Sequence, residues 1–292
     1  MSARQQLRHL LAAPGAVIAP GVYDCLSARI AERAGAQATI VTGAGVAASV
    51  LGTPDVGLLT MTEVLNQTRN IARSVSIPVV ADCDTGYGNP INVQRTVREF
   101  EDAGVAALFI EDQVSPKRCG HFTGKQIIAA EDMVQKIRAA VDARSDADLT
   151  LIARTDARAV AGPDEAIRRA RLYVDAGAEM LFVEAPHSVD ELRRIGDELQ
   201  SLHVPLMVNL VEGGRTPLVA VKELADMGFS LVSFSGSLQK TGIAAMQAMV
   251  SSLLQTGEVT QFYPDAMVSL EERSELLGLP AFFELERRYA TD

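Results

Sequence analysis

Short β-rich apolar stretches recur along the 292-residue chain, and each is followed by a segment in which apolar residues repeat at three and four positions. The intervening segments, such as INVQRTVREFEDAG and PDEAIRRARLYVDAG, end at glycine, as amphipathic helices do. This alternation predicts parallel strands joined by crossover helices. Eight apolar stretches can be counted, at residues 16–21, 38–43, 78–86, 107–113, 150–157, 180–185, 205–211 and 231–236.

Eight strand-helix units in about 250 residues favour an α/β fold of the (β/α)8 TIM-barrel type. A doubly wound open sheet usually has fewer strands and needs a topological switch point. The tail from residue 258 adds two helical stretches joined by GLP that a barrel does not require, and we expect them to pack outside the barrel or on another subunit. No low-complexity segment, charge block or linker interrupts the chain, so residues 1–292 are predicted to form a single barrel domain with 258–292 as a C-terminal helical extension.

Composition narrows the range of partners. The chain is 48% hydrophobic, and 27 Lys and Arg residues against 37 Asp and Glu residues give a net charge of -10. Such a charge repels nucleic acid and anionic membrane surfaces, and no apolar run approaches the roughly 20 residues of a membrane span. The three cysteines, Cys25, Cys83 and Cys119, form no CxxC pair. These features predict a cytoplasmic protein that acts on a small molecule.

Polar side chains follow the predicted strands, at the end where barrel enzymes build their sites. Asp82 and Asp84 end the third strand, and Glu111 ends the fourth. Because alternate side chains share a face, these three carboxylates are predicted to converge. Later strands end in Arg154 and Asp156, in Glu184 and in Asn209.

Convergent carboxylates raise one another's pKa unless a cation offsets the repulsion. Oxygen ligands without clustered His or Cys favour Mg²⁺, or Mn²⁺, over Zn²⁺. The acidic pattern DCDTGYG plus IEDQ therefore predicts a Mg²⁺ site. The alternative is that these acids are solvated loop residues or salt-bridge partners.

The segment SPKRCGHFTGK, residues 115–125, follows the fourth strand directly. Its proline and glycines are typical of a mobile loop, and such loops commonly act as lids over barrel mouths. The loop concentrates basic residues around one thiol, in the order Lys117, Arg118, Cys119, Gly120 and His121. A basic environment favours a thiolate, so Cys119 is a candidate nucleophile, or a general acid once an anionic substrate restores its proton. The alternative is a basic surface loop with an incidental cysteine.

Two turns could also bind anions. Residues 42–45, Thr-Gly-Ala-Gly, form a small-residue turn able to offer backbone N–H groups to a carboxylate. Residues 213–216, Gly-Gly-Arg-Thr, lie where many barrels hold phosphate, which keeps phosphorylated or phosphonate substrates open.

The sequence resembles the isocitrate lyase and phosphoenolpyruvate mutase superfamily over nearly its whole length. The matching stretches are VYDCLSARI, TPDVGLLT, ADCDTGYGN, IEDQVSPKRCGH, IARTDA, VEAP and NLVEGGRTP. KRCGH is the specific one, because it is similar to the catalytic loop of the lyase branch. That branch includes 2-methylisocitrate lyases, 2,3-dimethylmalate lyases and the petal death protein group, whereas the mutase and phosphonopyruvate hydrolase branches typically lack the cysteine.

The resemblance implies a role for each matching residue. Asp84 would bind Mg²⁺ directly or nearly so, Asp82 and Glu111 largely through water, and Asp55 would support the metal shell. Substrate would be held by Thr42, Gly43, Ala44, Gly120 and Asn209.

At the reacting atoms, the resemblance implies that Arg154 binds the carboxylate and oxygen of the reacting carbon. Glu184 and Asn209 would fix the leaving portion. Cys119 would donate the proton, assisted by Lys117, Arg118 and His121. Family members are usually tetramers whose C-terminal helices swap between neighbours, which would account for the tail.

Two departures from the 2-methylisocitrate lyase pattern weaken the case for a bulky tricarboxylate. Ile40 stands where those enzymes carry a tyrosine, and an expected arginine is absent near Lys240 and Thr241. NLVEGGRTP is similar instead to the petal death and dimethylmalate lyase group. The expected activity is Mg²⁺-dependent cleavage of a 2-hydroxydicarboxylate to a 2-keto acid such as pyruvate plus a carboxylate.

Three alternatives remain open. Oxaloacetate could be hydrolysed to oxalate and acetate at the same metal. The Gly-Gly-Arg-Thr turn allows phosphorus–carbon chemistry, of the mutase or the hydrolase kind. A non-catalytic module could use the same pocket to bind a dicarboxylate.

Overall fold

The computed structural model describes residues 1–290, and its eight strands close into a parallel barrel in which each strand pairs with the next along the chain. The barrel closes where Val17 of the first strand pairs with Leu231 of the last. The predicted (β/α)8 fold is confirmed. The strands are β1 Val17–Val22, β2 Thr39–Val41, β3 Val79–Asp82, β4 Ala107–Glu111, β5 Thr150–Thr155, β6 Met180–Val183, β7 Leu206–Asn209 and β8 Phe229–Phe234.

Thirteen α-helices are found in the part of the chain that the structure describes, and sequence-local signals account for many of their ends. Asn89 caps α5 through the N–H groups of Ile91 and Asn92, and Pro90 begins the helix without an N–H to satisfy. The helices are α1 Ala3–Ala12, α2 Cys25–Arg33, α3 Gly43–Val46, α4 Met61–Ser74, α5 Pro90–Asp102, α6 Ala130–Ala143, α7 Ala157–Ala161, α8 Pro163–Asp175, α9 Val189–Leu199, α10 Val221–Asp226, α11 Ser237–Thr256, α12 Leu270–Leu276 and α13 Leu279–Tyr289.

The inner face of the barrel changes from apolar to polar along the strands. Because alternate residues share a face, the residue two positions after an inward apolar side chain also points inward. Helix α1 closes the apolar end with Leu7 and Leu11. The opposite end is therefore left to polar side chains. Six strands follow this pattern, with Val80 before Asp82, Phe109 before Glu111, Ile152 before Arg154, Phe182 before Glu184, Met207 before Asn209, and Leu231 before Ser233.

The structure divides into two compact units, Met1–Leu238 and Gln239–Asp292. The first contains the whole barrel. The second exposes large apolar side chains, among them Leu254, Phe282 and Phe283. The single-domain partition, with an extension from residue 258, and the exchange of that extension between subunits stay predictions. Within residues 1–290 no helix combines the length and apolar character needed to cross a bilayer.

A buried carboxylate behind the barrel wall ties β4, β5 and α8 together. Asp112 follows Glu111 and therefore faces away from the barrel interior. It accepts hydrogen bonds from the backbone N–H of Asp156 at 2.8 Å, the Arg169 guanidinium at 3.0 Å and the Tyr173 hydroxyl at 2.7 Å. These bonds hold the end of β5, which carries Arg154, against its neighbours.

Replacing Arg169 by methionine should lower the free energy of unfolding by about 3 kcal/mol, because it strips a fully buried carboxylate of its cation. Arg168→Met is the matched control. Both arginines pair with Glu165, but Arg168 is exposed, so its loss should cost at most about 0.5 kcal/mol. Urea unfolding followed by circular dichroism measures both. Equal losses for the two variants would contradict the role assigned to Asp112.

Candidate active site

The carboxyl ends of the strands bring the predicted acidic residues together. Asp82 accepts hydrogen bonds from the backbone N–H of Asp84 at 3.0 Å and of Gly43 at 3.1 Å. Asp84 adopts a left-handed backbone, with φ of 47°, which aspartate tolerates better than most residues. A side chain on Gly43 would contact the carboxylates of both Asp82 and Asp84, since a Cβ there would lie 3.0 and 3.4 Å from their oxygens. The small-residue turn after β2 therefore lies directly against the acids.

Burial makes these carboxylates costly to ionise. Burial raises the pKa of Asp84 to about 6, a shift that Lys117 opposes and Asp82 reinforces. Burial also raises the pKa of Glu111 well above its usual range, against the influence of Arg154. Neither oxygen of Glu111 accepts a hydrogen bond, although Arg154 Nε lies 3.1 Å from one of them. A cation at this point would favour the ionised form of these carboxylates and would find Glu111 oxygens that accept no hydrogen bond.

The donor set fits Mg²⁺ better than a closed metal cage. Within residues 1–290, no three His, Cys, Asp or Glu side chains are grouped so that they could hold a metal ion between them. Mg²⁺ usually keeps several waters and uses only one or two carboxylates, whereas structural zinc takes four protein ligands. Asp82, Asp84 and Glu111 supply only carboxylate oxygens, the ligand type that Mg²⁺ takes in proteins.

The loop of residues 115–125, which we call the lid, is closed at its base. Val114 donates its backbone N–H to Gln126, and Ile128 donates to Asp112, at 2.9 Å each. The amide of Gln113 clamps the backbone of Arg118, accepting from its N–H at 3.1 Å and donating to its carbonyl at 2.9 Å. The lid therefore begins and ends on the strand that carries Glu111.

The inner side of the lid touches the polar cluster at several points. Lys117 Nζ lies 2.7 Å from Asp55 and 2.9 Å from Asp84. Burial alone would lower the pKa of Lys117, but the carboxylates of Asp84 and Glu111 raise it well above its usual range. Asp55 thus lies beside the acids, although its contact is with Lys117.

The backbone at Gly120 packs directly against the side chains of Arg154 and Glu184. A Cβ at this position would lie 2.5 Å from Glu184 Cγ and 2.6 Å from Arg154 Nη2, distances at which atoms overlap. Only glycine therefore lets the backbone beside Cys119 approach this closely.

Arg154 is the central cation of the cluster. It lies 3.0 Å from Asp156 and 3.7 Å from Glu184, and its guanidinium stacks on the Phe182 ring at 5.1 Å. Burial alone would lower its pKa, but Asp156 and Glu111 raise it well above the usual value. The guanidinium is held in place by contacts on several sides.

The surroundings of Cys119 favour its protonated thiol over the thiolate. Burial raises its pKa, a hydrogen bond from the backbone of His121 lowers it, and Asp55 and Glu184 raise it further. The expectation that the basic lid would stabilise a thiolate is therefore wrong, because desolvation and the buried carboxylates outweigh the nearby cations. A protonated thiol suits a proton donor rather than a resting nucleophile.

His121 bridges the lid to the loop after β7. Its Nδ1 accepts the backbone N–H of Arg215 at 3.1 Å, and its Nε2 lies 3.2 Å from Glu184. Burial lowers the pKa of this histidine, against the influence of Glu184. With Nδ1 accepting, the neutral ring carries its proton on Nε2, on the side of Glu184.

Other predicted residues lie at the edge of the cluster. The Thr42 hydroxyl accepts the N–H of Gly45 at 3.1 Å, which caps α3, and Ala44 follows in the same turn. Asn209 accepts a hydrogen bond from Ser233 at 3.2 Å. Arg118 is not brought into the cluster, because its exposed guanidinium points back to the Thr123 carbonyl.

Two residues near the site were not predicted. Lys125 is buried and donates to Asp156 and to the Gly120 carbonyl. Tyr87 has a buried hydroxyl that bonds to no other side chain. Nothing local in the sequence separates Lys125 from a solvated lysine, whereas Tyr87 lies within the DCDTGYG motif and could have been considered.

The metal-free protein should show the cost of ionising Asp84. With a pKa of 3.8 when unfolded and about 6 when folded, Asp84 keeps its proton in the folded state over a range where the unfolded chain loses it. Stability therefore falls as pH rises from about 4 to about 6. In EDTA, Asp84→Asn should unfold at a higher temperature than the parent protein near pH 8, and at a similar temperature near pH 4.

Calorimetric scans of both proteins, repeated with Mg²⁺, measure this effect. Mg²⁺ should raise the unfolding temperature of the parent only, because a ligand stabilises the form that binds it. A variant less stable than its parent near pH 8 would contradict the origin assigned to the shift.

Comparison with known proteins identifies the family. The family model described as phosphoenolpyruvate phosphomutase matches residues 7–254. The chain is 43% identical to the 2,3-dimethylmalate lyase of Eubacterium barkeri over 293 aligned positions, covering 100% of this chain and 99% of that protein. It is 43% identical to the 2-methylisocitrate lyase of Aeropyrum pernix, covering 97% and 89%.

A solved structure agrees with these sequence matches. The structure of an oxaloacetate acetylhydrolase in complex with 3,3-difluorooxalacetate has a TM-score of 0.92 and 37% identity, covering 98% of this chain and 96% of that chain. The resemblance inferred from the motifs is confirmed: the chain is an enzyme of the phosphoenolpyruvate phosphomutase family, within the PEP mutase/isocitrate lyase superfamily.

Proposed function

We propose that this enzyme is a Mg²⁺-dependent carbon–carbon lyase. Its substrate is a 2-hydroxydicarboxylate of the 2-alkylmalate, 2,3-dimethylmalate or 2-methylisocitrate type, and its products are a 2-keto acid such as pyruvate and a carboxylate. The observation that carries the proposal is the close packing of the lid, with its half-buried Cys119, against Arg154 and Glu184, where a Cβ on Gly120 would lie 2.6 Å from Arg154 Nη2. The names of the two lyase relatives support the same class of reaction.

The acid cluster holds the metal in this proposal. Asp84 is the direct or nearly direct ligand, Asp82 and Glu111 act largely through water, and Asp55 supports the shell; Mn²⁺ could replace Mg²⁺. When bound, the ion acts as a Lewis acid that lowers the pKa of the substrate hydroxyl. The buried oxygens of Glu111, which accept no hydrogen bond, support this assignment.

Arg154 binds the substrate carboxylate and the oxygen on the reacting carbon. Its buried guanidinium is preorganised by Asp156 and Glu111, so little reorganisation is needed when charge develops. Thr42, Gly43 and Ala44 hold a carboxylate from the other side of the acid cluster. Glu184, Asn209 and Gly120 border the leaving portion.

Cleavage leaves an electron pair on the departing carbon, delocalised into the adjacent carboxylate. The cation of Lys117 stabilises this added charge, with His121 assisting from the lid, whereas the exposed Arg118 lies outside the cluster. Cys119 then transfers its S–H proton to the carbon, and the resulting thiolate takes up a proton before the next turnover. The closed lid excludes water, which would otherwise screen these interactions.

Oxaloacetate hydrolysis is the second candidate. The structural similarity to an oxaloacetate acetylhydrolase favours it. Phosphorus–carbon chemistry has less support, because Arg215 of the Gly-Gly-Arg-Thr turn donates to the His121 carbonyl at 3.2 Å. NMR of product mixtures separates the three: pyruvate from a 2-alkylmalate, oxalate and acetate from oxaloacetate, or phosphate from phosphonopyruvate.

The substrate panel comprises malate, 2-methylmalate, 2,3-dimethylmalate, 2-methylisocitrate, isocitrate, oxaloacetate and phosphonopyruvate, each with Mg²⁺ and with EDTA. Turnover of a branched malate that EDTA abolishes is the expected result. Cleavage that persists in EDTA would overturn the metal assignment.

We also propose that the enzyme is a cytoplasmic homotetramer that exchanges its C-terminal helices. In support, none of the residues of α11 is buried in the single chain. Separately, the barrel unit has a surface groove of about 430 Å³ lined by Ile18, Pro20 and Ile30, among others. Exposed apolar surface of this kind is typical of subunit interfaces.

Cys119→Ser should keep Mg²⁺ binding but lower kcat at least about a hundredfold, the usual scale for a lost general acid. Cys25→Ser, at the start of α2, is the control and should keep normal turnover. Pyruvate formation from 2,3-dimethylmalate measures kcat, and calorimetry measures Mg²⁺ binding. Near-normal kcat in Cys119→Ser would rule out the proton-donor role.

A further inference from the structure

We propose that Lys125 is a positioning residue that fastens the closed lid to the barrel and sets Cys119 relative to Arg154. The catalytic part of this inference rests on the proposed function, but the contacts of Lys125 with the lid and the barrel can be tested without any substrate. Lys125 lies at the opposite end of the lid from Lys117, and the proposed role explains why a lysine is buried at this position.

The ammonium of Lys125 connects two groups from different parts of the chain. Its side chain is 1% exposed, and Nζ lies 2.6 Å from Asp156 Oδ1 and 2.5 Å from the Gly120 carbonyl. That carbonyl belongs to the residue immediately after Cys119. The charge-assisted hydrogen bond from Lys125 therefore fixes the backbone one residue after Cys119.

Asp156 provides a rigid anchor. It accepts from Arg154 Nε at 3.0 Å and from Arg154 Nη2 at 3.2 Å, and its own N–H donates to the buried Asp112. Arg154 and Lys125 thus share one carboxylate. Any movement of Lys125 relative to the barrel would strain the bonds that orient the guanidinium.

The other lid contacts differ in what they hold. Lys117 reaches Asp55 and His121 reaches Arg215, which lie on the loops after β2 and β7. Lys125 alone among these three basic side chains joins the lid to the end of β5, which Asp112 secures. Lys117 also lies 2.9 Å from Asp84, and His121 Nε2 lies 3.2 Å from Glu184. Lys125 differs from both because its ammonium also donates to a backbone carbonyl of the lid itself, that of Gly120.

Energetics favour the closed lid while this link exists. A buried ammonium is costly unless it is paired and hydrogen-bonded. In the closed lid, Asp156 supplies the charge and the Gly120 carbonyl supplies a second acceptor. Opening the lid removes that acceptor, so the hydrogen bond from Lys125 to the Gly120 carbonyl stabilises the closed lid.

The test measures the rate at which iodoacetamide alkylates Cys119. The background variant is Cys25→Ser, because Cys25 is partly exposed and would also react, whereas Cys83 is buried. Lys125→Met should raise the rate about tenfold or more, as expected for the loss of such a bond. It should also speed tryptic cleavage after Arg118. Lys125→Arg, which can still reach both acceptors, should keep both rates close to those of the parent.

Lys136→Met is the matched control. Lys136 is as buried as Lys125, but its amine donates to the Thr85 carbonyl instead of to the lid. Its alkylation rate should match that of the parent. If Lys136→Met accelerates alkylation as much as Lys125→Met does, the effect is general loosening and the proposal fails.

Lys125→Met leaves the buried Asp156 with one cation fewer and could unfold. The double variant Lys125→Met with Asp156→Asn removes both charges and keeps an acceptor for Arg154, so it preserves the test. It should also alkylate about tenfold faster. A rate equal to that of the parent in either folded variant would overturn the proposal.

Kinetics distinguish positioning from a structural role. Lys125→Met should lower kcat about tenfold while KM and Mg²⁺ affinity change little, and Lys125→Arg should restore kcat. A rise in KM with unchanged kcat would contradict the positioning role. If no acid in the panel is turned over, the proposed function fails, yet the alkylation and trypsin results still decide whether Lys125 holds the lid.

Discussion

The site depends on the balance of charge inside a barrel mouth from which water is largely excluded. Asp84, Glu111, Asp156 and Glu184 are all buried, and the cost of ionising them there is far greater than in water. Arg154 offsets three of these carboxylates by direct contact. Lys117 of the lid offsets part of the remaining negative charge through its contact with Asp84, and the rest underlies the proposed binding of Mg²⁺.

This balance of buried charge links the lid to the barrel. The same lid that delivers Cys119 also supplies cations to Asp84 and Asp156. The same packing of lid on barrel therefore pairs the barrel carboxylates with cations and buries part of the Cys119 side chain. Burial against the barrel raises the pKa of the Cys119 thiol, which favours the protonated form that the proposed role requires.

Much of the fold and part of the site could be predicted. The eight strand-helix repeats predict a barrel, because eight parallel strands joined by crossover helices can close so that every strand pairs with two neighbours. Alternation along β3 and β4 placed Asp82 and Glu111 on one face, whereas Asp84 lies after the end of β3, with a left-handed backbone that alternation does not describe. The chemistry of Cys119 could not be predicted from its neighbours, because its pKa depends on burial and on carboxylates distant in sequence.

The sequence by itself determined the barrel, the polar end of its interior and the lid motif, since each follows from periodicity and local spacing. Only the tertiary structure decided what each charge in the lid does. Arg118 and Lys125 are both basic residues of one loop, yet one is exposed and the other is buried against Asp156. The physical reason is that desolvation and ion pairing depend on contacts between segments far apart in the chain.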